Sequence, residues 1–278
     1  MAEDQSLHFR ILEDIARDLS GNISFPICMD AAILVRNTLK DPFSNLARVS
    51  QVVSLEPLIS SKLLRLANSV SYNPAGKMIS DLSTAITRLG FDVVRTTSLA
   101  VAMDQMLKSR NLANYDQIAQ SVWEHSIQTS AIARVLARHL GNINPDEAML
   151  AGLVHDIGIF YLLYRAAEYP EYRRDMPATL ELLRGWHESI GESLLHILGL
   201  PDSISVAVHD HHQFRSIETP CSVRDVLYFA MLLTETDPLQ YNPDPAAQAA
   251  QAIDRARYSD LLQEAEEQIL SLRAALNA

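Results

Sequence analysis

The stretch VHDIG at residues 154–158 decides how this chain is interpreted. It ends an apolar run and places an imidazole, His155, beside a carboxylate, Asp156, just before a glycine. The pair suits a divalent metal ion, because imidazole nitrogen binds borderline ions and carboxylate oxygen binds hard ones. Alone, a His-Asp dipeptide is a weak signal, since it recurs by chance.

Further histidines flank this stretch at a distance along the chain. Each lies on or beside a predicted helix, and helical bundles bring metal ligands inward from several helices. The candidate metal ligands are therefore His125, His155, Asp156, His187, His211 and His212. The alternative is that these groups hydrogen-bond to one another without a metal, since buried polar groups must be paired. We interpret His8, His139, His196 and His209 as non-ligands.

Composition indicates an all-α protein that folds around a substantial core. The 278 residues include 48% hydrophobic residues and only 9 glycines, and no segment shows the alternation of a strand. The net charge of -11 makes nucleic-acid binding improbable, because phosphate contacts need clustered Lys and Arg.

Several features favour a cytoplasmic protein. The N-terminus MAEDQSLHFR is acidic and polar, unlike a signal peptide, and no apolar run approaches the roughly 20 residues of a membrane span. Cys28 and Cys221 lack metal-type spacing, and their apolar neighbours predict two buried thiols in a reducing compartment.

The helices divide into three parts. We predict an N-terminal helical subdomain over 1–114, a second helical subdomain over 115–240, and a C-terminal helix over 241–278 that packs back on the core. In the helix from Leu58 to Asn68, Lys62 and Arg65 are expected to face solvent. Arg65, Asn68 and Tyr72 either lock the turn that follows or form a surface for a ligand or partner.

The N-terminal half carries a recognisable pattern. The run LLRLANSVSY (63–72) is followed by Ile79, Ala85-Ile86, Leu89-Gly90 and a helix with Val94-Arg95. This order resembles the HDOD family over roughly residues 25–214. These are bacterial signalling and regulatory proteins built on a degenerate HD-type metal hydrolase core. The resemblance implies that the second subdomain is HD-like.

The resemblance also assigns roles to the histidines. His125 matches the first metal ligand of the HD superfamily, His155-Asp156 the central pair, and His187 and His211-His212 the additional histidines of related cyclic-dinucleotide phosphodiesterases. Three positions depart from the enzyme pattern: Ile159 replaces a Lys, Gln213 a Glu, and Met231 the distal Asp. Asp225 and Asp237 are each six residues from Met231, which points them to another face.

We therefore expect a regulatory module that binds a protein partner in trans or a small ligand of the nucleotide type. The residues allow a divalent transition metal such as Fe, Mn, Zn or Ni as a cofactor. The alternative is a metal-dependent phosphohydrolase that acts on a nucleotide or a cyclic dinucleotide. The missing Lys and distal Asp favour the regulatory module over the enzyme.

Overall fold

The fold is taken from a computed structural model of the chain. It describes residues 2–20, 29–108, 110–234, 237–239 and 245–276. Within these ranges the secondary structure is helical, with no strand, which confirms the predicted all-α class.

Six helices precede the second predicted subdomain. Their bounds are α1 Ala2–Ser20, α2 Asp30–Lys40, α3 Leu46–Ser54, α4 Pro57–Ala67, α5 Leu82–Leu89 and α6 Phe91–Leu107. Asn45 and Asp81 cap α3 and α5 by accepting bonds from the main-chain N–H groups three residues on. Gly90 ends α5 with φ +79°, a conformation that glycine adopts without strain. Local sequence chemistry therefore accounts for the start of α3 and for both ends of α5.

A 3₁₀ turn at Arg110–Tyr115 leads into the helices that carry the candidate ligands. They are α7 Asp116–Leu140, α8 Pro145–Val154, α9 Ile157–Ala166, α10 Pro170–Arg174, α11 Met176–Ile197, α12 Asp202–Val208 and α13 Val223–Leu233. Helix α7 packs along α8 and against α13, and α11 packs along α9. Helix α6 contacts both α2 and α8, so one core joins the two predicted subdomains. The boundary at residue 114 stays a prediction.

The tail consists of two helices, where the sequence suggested one. They are α14 Pro245–Arg257 and α15 Ser259–Leu276. As expected, the tail packs back on the core, with α15 lying against α7 and α4. Its apolar side is buried, and Glu264 accepts a bond of 2.8 Å from Arg138 and pairs with His139 at 2.7 Å. The tail thus bridges the early and late helices of the chain.

Two predictions about side-chain exposure are wrong. Lys62 is buried, because its Nζ donates a hydrogen bond of 2.7 Å to the carbonyl oxygen of Leu276 at the end of α15. A bond to that carbonyl offsets part of the cost of removing the ammonium group from water. Cys221 is exposed, since it lies just before the N-terminus of α13, and Cys28 lies outside the described residues.

One segment of the described residues is apolar over an unusual length. Pro145–Ala166 is long and apolar enough, by length and composition alone, to cross a membrane, with a mean hydropathy of 1.3 in its best window. However, 89% of that window is buried inside the protein, and α8 ends before α9 begins within it. Burial against α7 and α11 explains its apolar character.

Candidate metal centre

The six predicted ligands come together among the helices from α7 to α13 and the segments that join them. They form two groups, and within each group the possible ligand atoms lie within 4.8 Å of one another. One group contains Asp156, His187, His211 and His212, and the other contains His125, His155 and Asp156. Asp156 belongs to both groups, so its two carboxylate oxygens lie between two sets of imidazoles.

The central pair lies at a break between two helices. α8 ends at Val154 and α9 begins at Ile157, so His155 and Asp156 occupy the junction. The carbonyl oxygen of Asp156 accepts a bond of 2.9 Å from the Ile159 N–H, which starts α9. The junction lets consecutive side chains reach the same interior point, which a continuous helix would not do, since neighbouring residues there point about 100° apart.

Gly158 explains how His187 reaches this junction. A Cβ added at Gly158 would lie 2.0 Å from the His187 carbonyl oxygen and 2.8 Å from the Gly191 nitrogen. Real side chains do not approach this closely, so only glycine lets the backbones of α9 and α11 meet here. The glycine in VHDIG therefore has a packing role that brings a third ligand to the site.

Three histidines are oriented by the main chain. Each Nδ1 lies 2.6–2.8 Å from a carbonyl oxygen three or four residues earlier, the pairs being His155–Gly152, His187–Leu183 and His211–Val208. Such a bond requires a proton on Nδ1, so in the neutral ring Nε2 carries the lone pair. Histidine ligands in metal sites commonly make such a bond through their other ring nitrogen, which fixes the tautomer and the orientation of the ring.

Within the part of the chain that the structure describes, several buried polar atoms at the centre make no hydrogen bond and could bind a metal ion. Among the described residues, no hydrogen bond is made by His155 Nε2, Asp156 Oδ1 or His211 Nε2, although all three are buried. His155 Nε2 lies 3.2 Å from Asp156 Oδ2, and His211 Nε2 lies 3.6 Å from Asp156 Oδ1. Hydrogen bonds within the cluster therefore leave acceptors that a cation would satisfy.

The charges of the cluster also suit a cation. Burial would raise the pKa of Asp156, but His155, His211 and His125 hold it well below its usual value. Burial lowers the pKa of His187 to about 4, so this ring is neutral near pH 7. Despite its burial, His211 has a raised pKa because it lies beside Asp156. Because a metal binds only the deprotonated imidazole nitrogen, this raised pKa would couple metal binding at His211 to proton release.

The cluster is closed to solvent on most sides. His125, His155, Asp156, His187 and His211 have between 0 and 4% of their surface exposed, and only His212 is partly exposed. The described residues therefore enclose the centre, with His212 its most accessible ligand. A catalytic metal site needs an open coordination position that substrate or water can reach.

The structure shows where the residues that differ from the enzyme pattern lie. Ile159 is buried on α9, and Met231 lies half-buried on α13. Asp225 accepts bonds from main-chain N–H groups of Cys221 and Ser222 as part of the cap of α13, so it caps a helix. A thioether at position 231 is a poor ligand for Mg, Mn or Zn.

Sequence reasoning missed one acidic neighbour. Glu188 Oε1 lies 3.9 Å from His211 Nδ1, and its side chain is partly exposed. Its position directly after His187 was the available signal. The predicted non-ligands His8, His139 and His209 pair instead with other side chains, and their partners are Tyr172, Glu264 and Glu192.

The other predicted site lies on the loop after α4. Asn68 fastens this loop, since its side chain donates to the Leu64 and Ile79 carbonyl oxygens and accepts from the Ile79 N–H, each at 2.8 Å. Arg65 is exposed on α4. The Tyr72 ring is half-buried beneath the Arg134 guanidinium, 4.6 Å from its centre. The turn-locking role fits these contacts, and the role as a partner surface stays a prediction.

Comparison with known proteins identifies the class. The family model described as HDOD domain matches residues 25–214, more than half of the chain. The chain therefore belongs to the HDOD family, and the resemblance seen in the sequence is confirmed. A search of curated proteins found no match.

Solved structures show the same fold. A protein from Shewanella amazonensis SB2B, proposed to be a metal-dependent phosphohydrolase, aligns with a TM-score of 0.78 at 22% identity, over 99% of this chain and 100% of its own. An HDOD domain protein of unknown function from Geobacter sulfurreducens aligns with a TM-score of 0.59 at 19% identity, over 93% and 97%. A Marinobacter aquaeolei VT8 protein proposed to act in signal transduction gives 0.61 at 18% identity, over 98% and 66%. At these identities the likeness concerns the fold.

Proposed function

We propose that this HDOD protein is a non-catalytic signalling module whose His/Asp cluster holds a transition metal as a structural centre. The observation that carries the proposal is the combination of convergence and burial. Six candidate ligands meet at one place, yet five of them are at most 4% exposed. Such a centre ties α7, the α8–α9 junction, α11 and the turn after α12 together, and it offers little room for a phosphate ester.

The donor set indicates which ion would bind. Five imidazoles and one carboxylate favour a borderline ion such as Fe, Ni or Zn over Mg or Ca, which prefer oxygen. His155, His187 and His211 would bind through Nε2, the nitrogen that their main-chain bonds leave available. Asp156 would supply the charge that partly neutralises the ion.

A protein partner would act on the surface, and the loop after α4 is the proposed place. Val70 and Met78 on this loop are 78% and 81% exposed, which is unusual for apolar side chains. Exposed Arg65 lies close by in sequence, and Asn68 holds the loop rigid. An ordered loop on a helical scaffold is a common arrangement for binding. The similar Marinobacter protein is proposed to act in signal transduction, in line with this role.

The second candidate function is a metal-dependent phosphohydrolase. Its supporting observation is that Asp156 belongs to both ligand groups, since a shared carboxylate suits two neighbouring ions. The similar Shewanella protein is proposed to have this activity. Bound metal would supply a water of lowered pKa. However, Ile159 offers no cation for a substrate phosphate, and the cluster has one carboxylate among the described residues.

Metal analysis separates these functions. Protein purified without chelator is expected to contain a transition metal, and His155→Ala is expected to lose it. His196→Ala is the matched control, because His196 is exposed and outside the cluster. Neither wild type nor variant should hydrolyse phosphodiester test substrates in added Mn²⁺. Hydrolysis that disappears in His155→Ala would establish the enzyme, and a wild-type protein that binds no metal would refute the metal centre.

A further inference from the structure

His155 and Asp156 lie at the junction between α8 and α9, and two further candidate ligands lie in a turn. His125 and His187 lie within α7 and α11, whereas α12 ends at Val208 and His211 and His212 follow in a turn. A metal site requires ligand distances within about 0.2 Å of their ideal values. A turn needs additional contacts to reach that precision, and the residue just before His211 provides them.

Two guanidinium groups donate hydrogen bonds to the Asp210 carboxylate. Arg215 Nη2 donates to both of its carboxylate oxygens at 2.7 Å, and Arg224 donates through Nε at 3.1 Å and through Nη2. Arg215 lies in the loop after the turn, and Arg224 lies in the first turn of α13. The three residues therefore join the histidine turn to a helix that packs against α7.

These contacts differ from an ordinary surface ion pair. The side chains of Asp210, Arg215 and Arg224 are only 14, 20 and 31% exposed. Exposed ion pairs are worth little, but here Arg224 meets the carboxylate through two nitrogens and Arg215 Nη2 bonds to both of its oxygens, which fixes the position of the carboxylate as well as its charge. The main-chain N–H of Arg215 also lies 3.3 Å from the Tyr228 hydroxyl, which holds the loop against α13.

We infer that Asp210, Arg215 and Arg224 form a clamp that positions His211 and His212 for metal binding. Adjacent side chains of the turn diverge: Asp210 faces the arginines, while the fully buried His211 ring faces Asp156. The clamp fixes the backbone on one side of His211, and the bond from its Nδ1 to Val208 fixes the ring. The inference rests on the proposed metal centre, and the three residues are positioning residues that do not touch the ion.

Metal affinity tests the clamp. Zn²⁺ affinity is measured by competition with a chromophoric chelator in Arg215→Gln, Arg224→Gln and the double variant. Loss of an outer-shell partner typically weakens metal binding about 10–100-fold, and we expect this range for the double variant. Arg48→Gln is the matched control, because it breaks a pair of 2.7 Å with Asp41 far from the cluster in sequence. Urea unfolding of each metal-free variant shows whether the fold is retained.

A double-mutant cycle distinguishes positioning from general stability. If Arg224 acts through His211 and His212, then Arg224→Gln should weaken Zn²⁺ binding in wild type but have little further effect in a background that carries both His211→Ala and His212→Ala. The visible spectrum of bound Co²⁺ should change in Arg224→Gln, since one imidazole is displaced. Equal losses in both backgrounds, or an unchanged affinity in the double arginine variant, would overturn the clamp. Wild type that binds neither ion would refute the metal centre itself.

Discussion

Replacing Gly158 by alanine tests whether the close approach of α9 and α11 assembles the site. The added Cβ would lie 2.0 Å from the His187 carbonyl oxygen, whereas ordinary contact begins at 3.4 Å. The two backbones must therefore separate locally by about 1.4 Å, the difference between these distances. Overpacking a well-packed core typically costs about 1–3 kcal/mol. Because the obstructing atoms belong to the main chain, we expect the upper half of that range.

The same displacement should weaken metal binding. His187 would move with α11 by far more than the roughly 0.2 Å that coordination geometry tolerates. We therefore expect Gly158→Ala to lower both the urea midpoint and the Zn²⁺ affinity. Gly185→Ala is the matched control, because Gly185 is exposed on the same helix α11 and its Cβ would meet nothing within 4 Å. That variant should gain up to about 1 kcal/mol, since alanine favours a helix interior over glycine.

The two variants give a direct comparison. Urea unfolding followed by circular dichroism gives the free energy of unfolding of each metal-free protein, and chelator competition gives the affinity. If Gly158→Ala were as stable as wild type to within about 0.5 kcal/mol, the limit for an unremarkable surface substitution, the steric argument would be refuted. Loss of stability with unchanged Zn²⁺ affinity would show that α11 does not bring His187 to the ion.

Two other contacts lead to predictions. Lys62→Met should lower the free energy of unfolding by about 1–3 kcal/mol, because it leaves the Leu276 carbonyl buried without its donor, and it should speed hydrogen exchange in α15. Arg65→Met, on the exposed side of α4, is the control and should do neither. A hydrogen bond with Glu192 raises the pKa of His209 in the folded protein. The His209–Glu192 pair therefore stabilises the fold fully below the pKa of His209 in the unfolded chain, near 6.5, and this stabilisation is lost as the pH rises through the higher pKa of the folded protein. His209→Gln should therefore lower Tm more at pH 6 than at pH 9, and a loss that is equal at both pH values would contradict the pairing.

Helix ends illustrate what local sequence predicts well. Asp81 before α5, the Asn144-Pro145 start of α8 and Gly141 after α7 each lie where the structure begins or ends a helix. The reason is that capping uses atoms within three or four residues of one another. The tail shows where such local reasoning ends: the break between α14 and α15 has no glycine or proline to mark it.

Exposure was harder to predict than helix position. Lys62 has the sequence environment of a solvent-facing lysine, yet it is buried because a helix more than 200 residues later ends against it. The position of Asp210 between two histidines likewise predicts no role for it, and only its hydrogen bonds with Arg215 and Arg224 indicate one. Neither contact follows a helix-spacing pattern, since Leu276 is 214 residues from Lys62 and the two arginines reach Asp210 only through the packing of the turn against α13.

The sequence by itself determined the all-α class, the HDOD resemblance and the six residues that could bind a metal. The all-α class follows from helix periodicity and capping, the resemblance from the ordered pattern that begins at residues 63–72, and the candidate ligands from the identity of their donor groups, all of which are local properties. Only the tertiary structure decided that all six meet, and that five of them are almost completely buried. Convergence depends on distances between helices, and at VHDIG that distance is set by a glycine whose missing side chain lets α11 approach.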